Sequence, residues 1–176
     1  MTTDSLASAL GVDSEEAEAL LKTASSGYVF GNPHIWYAAH VQGIGWMTPV
    51  RDNATAGTEG EGRRLEALLL MGTGGQDPQG NPKPLQQITA QAYVQNYGWM
   101  DPVIATDGDF IMVGTVGESL RMEALRLSIV SAVYCVNAHV QNIGWQGQRC
   151  SVNGGTVEVG TTGKALRMEA IQIFVF

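Results

Sequence analysis

The sequence predicts a mainly β fold: a pseudo-threefold domain of three repeats, β-prism-like or β-trefoil-like, with a short N-terminal helical segment. Three observations predict it. A segment ending in Gly-Trp is written three times, as His40-Val41-Gln42-Gly43-Ile44-Gly45-Trp46, Tyr93-Val94-Gln95-Asn96-Tyr97-Gly98-Trp99 and His139-Val140-Gln141-Asn142-Ile143-Gly144-Trp145. Each copy is followed by a second matching block. These are Gly57-Thr58-Glu59-Gly60 with Arg64-Leu65-Glu66-Ala67, Gly114-Thr115-Val116-Gly117 with Arg121-Met122-Glu123-Ala124, and Gly160-Thr161-Thr162-Gly163 with Arg167-Met168-Glu169-Ala170. Finally, the 22 glycines suit tight turns between short strands rich in β-branched and aromatic residues. Two motifs in fixed order at intervals of about fifty residues mark a repeat architecture.

The elements follow in order. Residues 1–27 read as a helical arm. Asp13 is placed to cap a helix, Glu16 to reach back to it, and Ala17, Leu20, Leu21 and Ala24 form an apolar stripe. Such an arm either packs on the β domain or docks on a partner. Residues 28–176 form the three-repeat β domain, with repeats at 35–71, 90–129 and 134–176. In the second block the apolar residues fall at Leu120 and Met122, then at Leu125, Leu127 and Ile129. One extra residue at the Glu-Ala step breaks the alternation, which predicts a β-bulge. The composition of Leu-Arg-Met-Glu-Ala-Leu also suits a helix, but the ending Ile171-Gln172-Ile173-Phe174-Val175-Phe176 favours strand. Gly72 to Pro84 is turn chemistry inserted between repeats one and two, and Asp107-Gly108-Asp109 is a longer tip in repeat two. Three such units closing around one axis satisfy a prism or a trefoil equally. A linear array is disfavoured because no repeat looks like a cap.

The two blocks resemble the clostridial hydrophobic repeat with a conserved tryptophan, whose pattern is close to Tyr-x-x-His-Val-Gln-x-x-Gly-Trp, Gly-Thr-x-Gly and Leu-Arg-x-Glu-Ala. The third copy matches from Tyr134 to Ile173; the first has Arg63 where the others have Leu120 and Leu166, and the second has Tyr93 in place of His. The resemblance implies an association with extracellular surfaces, adhesion or phage-encoded proteins.

Composition narrows the function. Charged residues are 15% of the chain and the net charge is −7, with no Lys/Arg cluster, so a nucleic-acid partner is not expected. No run approaches a membrane span. Met1-Thr2-Thr3-Asp4 lacks the basic start of a secretory signal, so synthesis in the cytoplasm is expected, with a virion or an extracellular surface as the final setting. Cys135 and Cys150 read as two small half-buried residues, with a bridge open if the strands bring them together.

Strict alternation through the first block puts His40, Gln42, Ile44 and Trp46 on one face. An imidazole, an amide and an indole together suit sugar hydroxyls and ring faces, and Glu66 could add a carboxylate. The candidate ligand-binding residues are therefore His40, Gln42, Trp46 and Glu66, then Tyr93, Gln95, Trp99 and Glu123, then His139, Gln141, Trp145 and Glu169. The competing reading makes the tryptophans core wedges and the glutamates partners of nearby arginines. Tyr93 breaks any three-His metal site, and Asp107 with Asp109 supply too few carboxylates for calcium, so no metal or cofactor is expected. Three near-identical copies also lack the asymmetric pocket of an enzyme. The expected function is a non-enzymatic module that recognises a surface glycan or cell-wall polymer. The alternative is a structural virion component, a capsid decoration or tail protein, assembling with other subunits through its N-terminal arm. Either would be oligomeric or part of a larger assembly.

Overall fold

Each repeat folds into the same run of five strands. The first supplies β1 (His34–Val41), β2 (Gly45–Trp46), β3 (Val50–Arg51), β4 (Ala56–Gly57) and β5 (Leu65–Thr73). The insertion after it holds a small ladder, β6 (Gly75–Gln76) with β7 (Pro82–Lys83). The second supplies β8 (Gln87–Val94), β9 (Gly98–Trp99), β10 (Val103–Ala105), β11 (Phe110–Gly114) and β12 (Met122–Val130). The third supplies β13 (Val133–Val140), β14 (Gly144–Trp145), β15 (Arg149–Val152), β16 (Thr156–Gly160) and β17 (Met168–Val175). The computed structural model describes residues 33–77, 79–83, 87–106 and 108–176, together with 7, 13–15 and 18. Apart from those isolated positions, the expected helical arm at 1–27 lies outside the described residues, as does Asp107. Among the described residues no helix is long and apolar enough to cross a membrane.

The long first and last strands of each repeat pair antiparallel: β1 with β5, β8 with β12, β13 with β17. The fourth strand leaves its own repeat. β11 adds to β5, β16 to β12 and β4 to β17. Repeat two therefore completes the sheet of repeat one, three completes that of two, and one completes that of three. The exchange closes on itself and gives the pseudo-threefold relation. Three separate sheets sharing one core form the prism-like member of the two expected arrangements. Inward positions alternate along the strands: Ile88, Ala90, Ala92 and Val94 from β8, and Leu125, Leu127 and Ile129 from β12, meet Ile35, Tyr37, Tyr134 and Ile173 in a single apolar cluster.

The extra residue read from the phase shift is a bulge in all three copies. His40 pairs with Ala67 while Val41 pairs with Leu65, which leaves Glu66 without a partner in its ladder. Glu123 and Glu169 are displaced in the same way. The carbonyl so released is what the exchanged strand docks on. It accepts the backbone N–H of Thr115 on Glu66 (2.9 Å), of Thr161 on Glu123 (2.8 Å) and of Thr58 on Glu169 (3.0 Å). The bulge is thus the joint between repeats, and the helical alternative for this block is excluded by its place in the sheet.

A cross-strand pair at one equivalent position is fastened differently in each sheet. Trp36 faces Arg51, whose guanidinium lies 5.2 Å from the indole centroid. Thr89 faces Ile104. Cys135 faces Cys150, and the two are joined by a disulfide with Cα atoms 4.0 Å apart. The reading of two unbridged thiols is corrected, because direct cross-strand register brings the pair within bridging distance. Closing a loop of this size is worth about 3 kcal/mol by chain entropy.

Two tyrosines anchor the core ends. The Tyr37 hydroxyl donates to the Ala54 carbonyl and accepts from Ile173 N–H at 3.0 Å. The Tyr134 hydroxyl lies between the carbonyls of Leu127 and Gly155. Burial pushes both phenols up from 10.0 to about 12. Because the folded values exceed the unfolded one, the stability they contribute is complete below pH about 10 and is lost as pH rises toward about 12, at about 2–3 kcal/mol for each group. Alkaline titration should therefore show two of the five tyrosines ionising only as the fold is lost. Tyrosinate absorbance and circular dichroism followed together would check this; five phenols titrating with the fold intact would contradict it.

Candidate functional site

The Gly-Trp block does not present one extended face. β1 ends at Val41 and β2 begins at Gly45, with Ile44 N–H closing the turn on the Val41 carbonyl at 3.0 Å. Gly43, Asn96 and Asn142 occupy the same left-handed turn position, with φ of 73°, 70° and 63°. The expectation of strict alternation is corrected: Gln42 and Ile44 belong to the turn. The hairpin nevertheless brings the right residues together. His40 pairs with Trp46, Tyr93 with Trp99 and His139 with Trp145 across the ladder. In each pair the rings meet edge-to-face, with centroids 5.3, 5.4 and 5.4 Å apart. Such T-shaped contacts are favoured by the ring quadrupoles.

The core-wedge reading of the tryptophans does not hold. All three indoles are half-buried at the surface, outside the apolar cluster. Among the described residues the large interior aromatics are Tyr37 and Tyr134 instead. Beside each indole the turn presents a large apolar side chain, Ile44, Tyr97 or Ile143, at 47%, 56% and 48% exposure. Each hairpin thus carries a half-buried indole and, two residues before it, an exposed apolar or aromatic side chain.

Beneath each ring pair lies a buried carboxylate. Glu66 Oε1 accepts Arg64 Nε at 2.8 Å and Nη2 at 2.7 Å, while Oε2 stands 3.1 Å from His40 Nδ1. The third copy repeats this with Arg167, Glu169 and His139 at 2.9, 2.7 and 3.1 Å. In the second, Arg121 Nε and Nη2 each lie 2.8 Å from Glu123, and Tyr93 replaces the imidazole. The glutamates are about 5% exposed and hold the arginine side chains through Oε1 rather than reach outward. The His–Glu approach lacks hydrogen-bond geometry, and both His Nδ1 atoms are buried without another partner. So are the hydroxyls of Thr58, Thr115 and Thr161, which the exchanged strands bring to the clusters. The glutamines tie the turn to the arginine: Gln42, Gln95 and Gln141 donate their backbone N–H to the carbonyls of Arg64, Arg121 and Arg167 at 3.0 Å. Gln42 is exposed, while Gln95 and Gln141 are half-buried.

The twelve sequence candidates thus come together as three clusters, each completed by another repeat. Sequence reasoning missed that last contribution. It missed as well Arg126, whose guanidinium lies 3.9 Å from the Trp99 ring centroid, and Glu59, which accepts Trp145 Nε1–H at 3.1 Å. The triplicated Gly-Thr block was the available signal, although nothing in it says which sheet it serves. At the repeat-two tip Asp109 Oδ2 accepts the Thr106 hydroxyl at 3.0 Å. Among the described residues no group of three or more His, Cys, Asp or Glu is arranged to hold a metal ion.

The family profile described as Clostridial hydrophobic W matches residues 40–74, 93–131 and 139–175, more than half of the chain. The matches start at His40, Tyr93 and His139, the ring partners of the three indoles. No curated protein and no solved structure matches.

Proposed function

Since the chain belongs to the Clostridial hydrophobic W family, with three copies of its repeat, we propose that this domain is a non-enzymatic recognition module for a surface glycan or cell-wall polymer. The observation that carries the reading is the placement of Trp46, Trp99 and Trp145. A large aromatic held half-buried at the surface, braced edge-on by His or Tyr and backed by a buried glutamate paired with a part-buried arginine, is a preorganised platform for the apolar face of a sugar ring. His40 and His139 add imidazoles at the rim, and Gln42 an exposed amide. Each platform is shallow, so single-site affinity is weak, and repetition on one rigid body converts weak contacts into avidity on a polymer. Three pseudo-equivalent clusters of similar composition suit repeated contacts with a polymer better than one asymmetric reaction centre. The Cys135–Cys150 bridge suits an oxidising setting such as a cell or particle surface.

The test is binding of the purified protein to a glycan array and to insoluble wall preparations. A His40→Ala, Tyr93→Ala, His139→Ala variant, checked for folding by its thermal transition, is the control. Binding by the parent that drops at least about tenfold in the folded variant is the expected result, as loss of several linked weak contacts requires. Absence of binding to every sugar and wall fraction, or undiminished binding by the variant, would overturn the proposal.

A further inference from the structure

The three clusters are not equal, and the difference lies in the position two residues beyond each Glu-Ala alanine. That position is Leu69 in the first repeat, Arg126 in the second and Gln172 in the third. In two sheets it meets a residue of the exchanged strand and in the third the residue just before that strand. Leu69 pairs with Met112, an apolar contact. Gln172 Nε2 donates to the Thr55 hydroxyl at 3.0 Å, a neutral one. Arg126 pairs with Glu158, and Nε donates to Oε2 at 2.9 Å.

That ion pair directs the guanidinium onto the neighbouring platform. Arg126 Cζ sits 3.9 Å above the Trp99 centroid, which is contact distance between two planar groups. A cation stacked at this height uses the attraction of the indole quadrupole and covers one face of the ring. A sugar reaching that face would have to remove a favourable stack before making its own. The same cluster is the one with Tyr93 in place of an imidazole, so its rim also lacks the ring nitrogens present in the other two. Trp145, by contrast, is held through its Nε1–H by Glu59 at 3.1 Å, a contact with the edge of the indole and not with its face.

We infer that Arg126 closes the second cluster to ligand, so that the domain presents two competent platforms, at Trp46 and Trp145, rather than three. This rests on the recognition reading above, and it assigns Arg126 as the residue that sets valency.

The experiment uses the indole signals of the four tryptophans in the full chain. The first arm needs no ligand: a soluble paramagnetic relaxation agent reports how far each indole ring is open to solvent. Trp99 should be the most protected of the three platforms, and Arg126→Gln, which installs the third repeat's residue, should remove that protection. A second arm titrates soluble cell-wall fragments. Signals of Trp46 and Trp145 should move in the parent protein, with Trp99 joining them in Arg126→Gln and the stoichiometry rising from two to three. The reverse pair, Gln172→Arg with Thr55→Glu, should silence Trp145.

A Trp99 ring as open in the parent as in Arg126→Gln would overturn the inference without reference to any sugar. So would an Arg126→Gln variant in which fragments move Trp99 less than in the parent, because that places Arg126 among the contacts. If the relaxation arm behaves as expected and no fragment moves any indole, closure stands and the recognition reading falls.

Discussion

Replacing Gly114 by alanine is expected to destabilise the domain by about 3–5 kcal/mol, adding the cost of a left-handed non-glycine residue to that of overpacking. Its φ is +91°, and a Cβ there would lie 2.4 Å from the Glu66 carbonyl oxygen and 2.8 Å from Ala67 Cα. Neither obstacle is the tip of a flexible side chain; both are backbone of the neighbouring repeat. The strand would have to move away from the bulge and surrender the Thr115 N–H bond to Glu66 that docks it. Gly117→Ala is the matched control, since it has a φ of +80° with nothing within 4 Å of a Cβ. It carries the backbone cost alone, about 1 kcal/mol. Urea unfolding of both variants separates the two terms. Equal losses would mean that the close approach is not what demands glycine. A Cβ at Gly57 or Gly160 would lie 2.3 Å from the Glu169 or Glu123 carbonyl oxygen, so both positions should behave like Gly114.

Glu169→Ala should cost about 2–4 kcal/mol, toward the low side of a broken buried ion pair because Arg167 keeps some solvent. The carboxylate is the common partner of Arg167 and His139 at 2.7 and 3.1 Å, and truncation strands a guanidinium that is 23% exposed. Glu169→Gln retains an oxygen acceptor and should lose less. The cleaner measurement is a double-mutant cycle: Arg167→Met in the Glu169→Ala background removes the stranded charge and should recover part of the loss, with a coupling of about 1 kcal/mol or more. Additive losses would show that the pair is not coupled and that the glutamate acts through packing alone.

The local plan of the fold was legible. Strand periodicity is a property of neighbouring residues, so the slip from Met122 to Leu125 announced a bulge before any partner strand was known. The turn within the Gly-Trp block was equally available: Gly43, Asn96 and Asn142 are the residue types that tolerate the left-handed conformation they adopt, and reading through them as continuous strand was the error. The exchange of fourth strands was not legible. The feature common to all three exchanges is backbone docking at a Gly-Ala pair, such as Gly114 opposite Ala67, while the side chains that meet beside it differ from sheet to sheet, Leu69 with Met112 in one and Arg126 with Glu158 in another, so no shared side-chain code names the partner. The site divided in the same way. Residue types and their grouping were readable from the repeated blocks. Depth was not: whether Trp46 faces core or solvent depends on which side of the hairpin the neighbouring sheet occupies. The disulfide likewise followed from register, which two cysteines in one repeat do not specify.

The circular lending of strands gives the molecule an arithmetic. In an open stack of repeats, units can be gained or lost at either end, and each unit leans only on its neighbours. Here every repeat is both donor and recipient, so there is no end at which to add or remove one. A chain carrying two copies would hold one sheet lacking its outer strand and one strand without a sheet. Both vacancies have the same shape on every molecule, and each can be filled only from another. Truncation by a single repeat is therefore expected to turn a closed ring of exchanges into an open one that assembles with its own kind.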